Sequence, residues 1–363
     1  MPIREESFKI GCGRYIQGEV YIAKCGEEVL RLGSAPLIIG DDITLEIAKD
    51  AIIDSVSNVC KKYEIAVHNG TCNEIDAKRL AELAVQKGYD VVIGVGGGVI
   101  SDFAKLCADF AGAKVINIPT SSATCASYAS VSVRYTPEGE TVGTKHFKHE
   151  VDSVIADTAI LSKQPIRLFL AGVFDALAKH LEIKQRFNAD LDAEYPIGLD
   201  YAYVMAKHSY DLLRMKVEKC IADMEAGNIT FDVENVLFTT IAATGVISGI
   251  ARGSNQCALA HKFYETARTL YPDASKPYLH GEMVGVGLLL QNHYNGETEN
   301  NELLLDLMKK HNMPKCVSDI GVEKSKETME KFYDMICGSS AVDKDNAEEC
   351  RRFKESLTYL WSL

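Results

Sequence analysis

The 363-residue sequence has no excess of positive charge: 51 Asp and Glu outweigh 39 Lys and Arg, for a net charge of −12. That excludes a general nucleic-acid binder, which needs a broadly basic surface. It leaves room for a local basic pocket that takes an acidic substrate. No apolar run approaches the length of a membrane span. The opening residues, MPIREESFKI, are charged and hold no apolar leader core, so export is not expected. The 11 cysteines are odd in number and never form C-x-x-C. With no export signal, they imply reduced thiols and a cytoplasmic protein. Internal repeats and low-complexity tracts are missing.

What is present is an ordinary globular composition, 47 % hydrophobic and 25 % charged, in a chain long enough for two domains. Through about residue 160, short β-like runs alternate with helical patterns. APLIIGDD, EIAVHNG, YDVVIGVGGG and AKVINIPTS read as strands; ITLEIAKDAIIDSVSNVCKKY, CNEIDAKRLAELAVQKG and VISDFAKLCADFAG read as helices. The alternation predicts crossovers and a parallel sheet. RYIQGEVYIA reads as an early strand or hairpin. SVSVRYTPEGE and DSVIADTAIL read as a β-hairpin excursion that returns to the sheet. From residue 161 onward β-like runs nearly vanish. The expected architecture is an α/β domain over residues 1–160 and an all-helical domain over 161–363, with a site in the cleft between them.

Within VVIGVGGGVISDFAK, three consecutive glycines, Gly96, Gly97 and Gly98, join a strand to a helix. One reading is structural: a strand-to-helix turn often needs positive φ. The other is chemical: backbone N–H groups at a helix N-terminus approach a phosphate. The dinucleotide fingerprint G-x-G-x-x-G fails at Val99, and no Gly-Lys-Ser or Gly-Lys-Thr follows for a Walker loop. In the helical half, Asp175, His261 and His280 are good ligand types for one divalent metal with an open position. Their local spacing does not force them together, and helix histidines often cap or face solvent. His180 lies five positions after Asp175, which turns it off that face of a helix. The remaining histidines read as surface or satisfied groups.

Taken in order, the segments IGVGGGVISDFAK, IPTSSATCASYASVSVRYTPEGE, DSVIADTAILSKQPIRLFLAGVFDALAKHLE, ALAH and LHGEMVGVGLLLQ resemble the glycerol dehydrogenase branch of the iron-containing alcohol dehydrogenase superfamily, over nearly the whole chain. The resemblance implies a Rossmann-type nucleotide-binding domain with a parallel sheet, a helical metal-binding domain as in dehydroquinate synthase, and NAD-linked oxidation of a CH–OH group in a homo-oligomer. It implies that Gly97, Gly98 and Asp102, with Lys105 in the same helix, form the pyrophosphate cradle. Asp41 reads the adenosine ribose and favours NAD over NADP. Thr120 and Ser121 form the second cofactor loop, and Val131 and Tyr135 flank the nicotinamide. Asp175, His261 and His280 become the three metal ligands, acting in catalysis through the metal. Iron-dependent relatives look four-liganded, with a histidine four positions after the aspartate; here that position is Lys179. Three ligands fit Zn²⁺ better, with Fe²⁺ the alternative.

The departures bear on substrate. Ala123 and Ala129 stand where relatives carry serine. Cys125 occupies the slot of an aspartate that would bind a polyol's hydroxyls in the glycerol enzymes, and a thiol is a poor substitute. Tyr264 replaces the second histidine of a His-x-x-His. ATCASYASVSVRY is closer to the hydroxycarboxylate dehydrogenase relatives, which reduce 2-oxo acids. Cys125 and Tyr264 are therefore expected to meet a small polyol, hydroxy-ketone or 2-oxo/2-hydroxy acid. A dehydroquinate synthase-like lyase that uses NAD transiently is the alternative activity.

Overall fold

The computed structural model describes residues 10–187, 197–251 and 256–363. The chain divides into two compact units, Met1–Gln164 with Lys216–Gly249, and Pro165–Met215 with Ile250–Leu363. The division expected at residue 160 thus shifts slightly, and a segment of the helical half counts with the α/β unit. The chain changes unit inside one long helix, at Met215/Lys216.

The first unit carries β1 (Tyr15–Gly18), α1 (Cys25–Leu32), β2 (Pro36–Gly40), α2 (Asp42–Ser57), β3 (Glu64–Val67), α3 (Glu74–Lys87), β4 (Val91–Gly96), α4 (Gly98–Ala111), β5 (Lys114–Pro119), β6 (Val131–Tyr135), β7 (Thr141–His146), β8 (Ser153–Asp157) and α5 (Thr158–Leu161). Six strands form an all-parallel sheet in the order β1-β8-β5-β4-β2-β3. β2 and β4 are buried at every position, as apolar strands covered on both faces must be. Ile38, Ile93, Val95, Ile116, Ile118 and Ile155 of the sheet form one core with Leu45, Ala48, Ile52 and Val56 of α2.

Two local readings change. β6 pairs antiparallel with β7, not with the DSVIAD run; that run is β8, which lies between β1 and β5 in the main sheet. RYIQGEVYIA holds a single strand. After Gly18 the Asp157 carboxylate accepts hydrogen bonds from the N–H of Val20 (3.3 Å) and Ile22 (2.9 Å). It thereby turns the chain into a short 3-10 segment, Tyr21–Lys24.

The chain then forms α6 (Ile166–Arg186), α7 (Ile197–Glu225), α8 (Phe231–Phe238), α9 (Thr244–Ala251), α10 (Leu259–Leu270), α11 (Pro272–Ser275), α12 (His280–Asn295), α13 (Asn300–Lys310), α14 (Lys326–Ile336) and α15 (Ala347–Ser362). A π-helical turn, Thr239–Ala243, joins α8 to α9. The resulting Phe231–Ala251 helix is long and apolar enough by composition to cross a membrane, contrary to the expectation from sequence, but 61 % of its apolar window is buried within the protein. Its segment in the first unit is tied to β1: Gln17 Nε2 donates to the Glu234 carbonyl (2.9 Å), and Phe238 packs edge-on against Tyr15.

In the second unit α12 packs on α6 and α10 at very close range. A Cβ on Gly281 would lie 1.8 Å from the Ala171 carbonyl oxygen, and one on Gly287 would lie 2.6 Å from the Ala260 oxygen. The glycines of HGEMVGVG therefore let three helices approach backbone to backbone. Gly281→Ala should push α12 off α6. We expect a fall in thermal midpoint of several degrees and a matching loss of metal affinity, whereas Gly296→Ala, strained by its φ of 75° but with nothing within 4 Å, should lower the midpoint without a specific effect on metal. Equal metal retention by both variants would contradict this account.

Candidate metal and cofactor sites

The metal-side residues converge on the close-packed helices of the second unit. Asp175 lies mid-helix in α6, His261 in the first turn of α10, and His280 is the first residue of α12. The start of α12 is held firmly. Glu282 Oε2 caps the Leu279 N–H at 2.7 Å, and Arg167 grips both oxygens of Glu282 at 2.6 and 2.7 Å. Asp175 Oδ1 lies 3.4 Å from His261 Nε2 and 3.6 Å from His280 Nε2. All three ligand atoms fall within 4.8 Å of one another.

These distances fit a shared ion. Two ligand atoms each about 2.0–2.1 Å from a tetrahedral centre lie roughly 3.3–3.4 Å apart. Asp175 Oδ1 is buried and makes no hydrogen bond of normal geometry; its neighbours are the two imidazoles and the Lys179 ammonium. Residues far apart in sequence thus meet as one donor set. His180 does not join it. Its ring packs between Tyr203 and Tyr210, and burial with the Lys207 and Lys184 charges pushes its pKa down to about 4.

Glu182, which sequence reading passed over, completes the arrangement. It is fully buried, and Oε2 lies 2.5 Å from His261 Nδ1 while Oε1 accepts the N–H of His261 (2.8 Å) and Ala258 (2.7 Å). A carboxylate on Nδ1 places the proton there and leaves the Nε2 lone pair facing Asp175. Asp175, Lys179 and Glu182 follow an i, i+4, i+7 stripe on α6, which is the signal that could have found it. Lys179 Nζ lies 3.3 Å from Asp175 Oδ1 in that stripe. Burial opposes the Asp175 charge, yet Lys179 and the two nearby imidazoles hold its pKa well below the usual value. Burial likewise opposes His261⁺, but Cys257, Glu182 and Asp175 outweigh it and hold the pKa well above the ordinary value. His280 is pushed down, chiefly by burial. The Tyr264 ring sits edge-on to His280, with centroids 4.4 Å apart.

The cofactor-side residues lie in the first unit. In the sheet order, β2 connects outward to β3, whereas β4 connects the other way to β5. The crevice at the C-terminal ends of β2 and β4 is therefore the topological switch point, where open α/β sheets bind ligands. Asp41 follows β2, and Gly97 and Gly98 follow β4. None of the three glycines has a positive φ, so the turn itself does not require them. A Cβ on Gly96 would press on Ile100 at 2.7 Å, a packing constraint; on Gly97 and Gly98 it would meet the Ser121 Oγ (3.2 Å) and Thr124 Oγ1 (3.0 Å). α4 begins at that point with no side-chain cap, and the two hydroxyls lie beside its first residues. Thr124 was not singled out in the sequence.

Asp41 Oδ1 accepts the Thr44 N–H at 2.7 Å and starts α2, a capping role added to its position at the crevice. Asp102 is engaged within the protein: its oxygens lie 2.8 Å from Lys105 Nζ and 2.9 Å from the Val133 N–H. Lys105 in turn donates to the carbonyls of Ala126 (2.7 Å), Ala129 (2.8 Å) and Val131 (2.5 Å). This pair stakes down the loop that carries Thr120, Ser121, Thr124 and Cys125. Thr120, Ser121, Cys125, Val131 and Tyr135 are half-buried.

The first unit thus offers a switch-point crevice and the second a set of three close donor atoms. The family model described as iron-containing alcohol dehydrogenase matches residues 12–162. A glycerol dehydrogenase of Pseudomonas putida is 32 % identical over 281 residues, covering 77 % of this chain and 75 % of that protein. Hydroxycarboxylate dehydrogenase A of Escherichia coli is 28 % identical over 293 residues, covering 80 % and 75 %. The fold of Schizosaccharomyces pombe glycerol dehydrogenase matches with a TM-score of 0.81 at 21 % identity, over 99 % of this chain and 92 % of that one. The chain belongs to the iron-containing alcohol dehydrogenases, on the branch of the glycerol and hydroxycarboxylate dehydrogenases.

Asp175→Ala should abolish metal retention, and Glu182→Gln should weaken metal affinity about 10–100-fold while leaving the fold intact. Ligation uses the Nε2 lone pair of His261, for which protons compete, so binding should weaken as pH falls. Calorimetry at two pH values measures both; undiminished affinity in Glu182→Gln would remove the positioning role.

Proposed function

We propose that this protein is a metal-dependent, NAD-linked dehydrogenase that interconverts a small alcohol and its carbonyl compound, with a polyol, hydroxy-ketone or 2-oxo/2-hydroxy acid as substrate. The observation that carries the reading is the convergence of Asp175, His261 and His280 at coordination distances on three tightly packed helices. When bound there, a divalent ion supplies Lewis acidity to the substrate oxygen. NAD supplies the hydride acceptor. The chain's own part is to hold these groups. Asp175 and His280 present donors directly, and Glu182 keeps the His261 Nε2 lone pair aimed at the same point. Gly97 and Gly98 open the α4 N-terminus to the pyrophosphate, with Ser121 and Thr124 beside it and Thr120, Val131 and Tyr135 lining the loop. Asp41 accepts from the ribose hydroxyls. Three protein ligands, with Lys179 in the fourth helical position, favour Zn²⁺ over Fe²⁺. The eleven free cysteines suit a reducing, cytoplasmic setting, and self-association belongs to the same reading. The lyase alternative is not favoured, since the relatives named above are dehydrogenases.

The direct experiment follows reduced nicotinamide while zinc-loaded protein is offered glycerol, dihydroxyacetone, glyoxals, 2-oxobutyrate and 2-oxoglutarate. No turnover with any of them sinks the proposal. NAD(H) should outperform NADP(H), and Asp41→Ser should narrow the gap; a wild type that prefers NADP(H) shows that Asp41 does not face the ribose. Cys125→Asp restores an acceptor for vicinal hydroxyls. A charged hydrogen bond contributes about 1.5–3 kcal/mol, so the kcat/KM ratio of glycerol to the best 2-oxo acid should rise by about one to two decades. An unchanged ratio makes Cys125 a packing residue.

A further inference from the structure

Cys337 directly follows α14 and Cys350 lies in the first turn of α15, and their sulfurs are 3.5 Å apart. Ring contacts between the two helices hold them there. Tyr333 stacks on Phe353 with centroids 5.6 Å apart, and Phe332 meets Trp361 edge-on at 5.2 Å. The connecting loop is fixed at both ends. Gly338 adopts a φ of 86°, and its N–H donates to the Val342 carbonyl at 2.9 Å. Asn346 Oδ1 accepts the N–H groups of Glu348 and Glu349, both at 3.2 Å, and starts α15. Between these turns Ala341 and Val342 are buried, and Gln185 of α6 donates to the Ala341 carbonyl at 2.5 Å. Both cysteines are half-buried. Cys350 faces the open side: its sulfur contacts the carbonyls of Asp343 (3.5 Å) and Lys344 (3.6 Å), two exposed residues. Burial raises the Cys337 pKa, against the Tyr333 hydroxyl, which lowers it, so Cys337 rests as the protonated thiol.

We propose that Cys337 and Cys350 are a redox modification site, at which an uncharged peroxide joins them in a reversible disulfide that clamps α14 to α15. A disulfide sets its sulfurs about 2.05 Å apart, so closure takes a shift of about 1.5 Å from the observed contact. In a reducing compartment such a pair rests as two thiols and bonds only when oxidant rises. An accessible cysteine beside a resolving one is the arrangement that peroxide sensing needs. Cys350 Sγ, having shed its proton, attacks one peroxide oxygen. The O–O bond breaks, and the departing hydroxide takes up that proton as water. Cys337 Sγ then attacks the sulfenic sulfur of Cys350. The S–S bond forms, the S–O bond breaks, and the Cys337 proton leaves with the hydroxide as a second water. Two thiols are oxidised and one peroxide is reduced. The surface beside Cys350 carries Asp343, Asp345, Glu348 and Glu349, and Arg351 is already taken by Glu348 and Glu355. That charge disfavours an anionic oxidant such as glutathione disulfide and leaves an uncharged peroxide unhindered. The bond ties together the ends of the 338–349 loop, which removes freedom from the unfolded chain and stabilises the folded one.

The test exposes reduced, full-length protein to hydrogen peroxide, blocks the remaining thiols with a maleimide and digests with trypsin in the absence of reductant. Cleavage after Lys344 puts the two cysteines on separate peptides, 332–344 and 345–351. The expected product is this pair of peptides joined by a disulfide, formed ahead of oxidation at the other cysteines and separated again by dithiothreitol. The intact oxidised protein should unfold a few degrees higher than the reduced protein and be cut more slowly at Lys344 under native conditions. Cys337→Ser and Cys350→Ser, each lacking one sulfur, should unfold like the reduced wild type and show no peroxide-dependent gain. Sulfinic acid at Cys350 with Cys337 still open to the maleimide, or linkage of either residue to a different cysteine, would overturn the pairing. A joined pair with an unchanged thermal midpoint would overturn the clamp. Faster joining by glutathione disulfide than by peroxide would overturn the choice of oxidant.

Discussion

The metal side of this protein depends on one buried contact, the Glu182 carboxylate against His261 Nδ1 at 2.5 Å. A fully buried carboxylate is costly unless its oxygens are satisfied. Glu182 meets that condition with the His261 ring and two backbone N–H groups at the start of α10. The same interaction fixes where α10 begins, which imidazole nitrogen bears the proton, and where the other nitrogen points. Asp175, on the same stripe of α6, then lies 3.4 and 3.6 Å from the Nε2 atoms of His261 and His280, and the packing of three helices gathers three donor atoms at one point.

That arrangement needs backbones closer than most side chains allow. The glycines of α12 supply the room, and the Arg167–Glu282–Leu279 chain of bonds holds the helix start where His280 is placed. The first unit uses a comparable device. Gly97 and Gly98 keep the N-terminus of α4 open, and the buried Asp102–Lys105 pair fixes the following loop by its carbonyls. In both units a buried charge network positions groups that other residues then use.

Some of this was legible in the sequence for plain physical reasons. Apolar runs of strand length alternating with amphipathic helical patterns imply a parallel sheet, because each crossover needs a helix. The loss of such runs past residue 161 implies a helical remainder. The order of motifs was enough to name the family. Where the reading went astray, non-local contacts had the deciding role. Of strand or hairpin, RYIQGEVYIA forms the strand, which the Asp157 carboxylate ends in a 3-10 turn, and β7, of weak pattern, takes the hairpin partnership that DSVIAD was expected to fill.

Sequence alone determined the class of fold, the family and the acidic net charge, since periodicity, motif order and charge are local or additive properties. Tertiary structure decided the rest. It returned residues 216–249 to the α/β unit, gave Asp102 to Lys105 instead of leaving it open, found Glu182 behind His261 and Thr124 beside Gly98, and set Lys179 against the metal ligand. Each of these joins groups far apart in the chain or depends on which face of a helix is buried, and neither spacing nor composition encodes the partner a buried charge will meet.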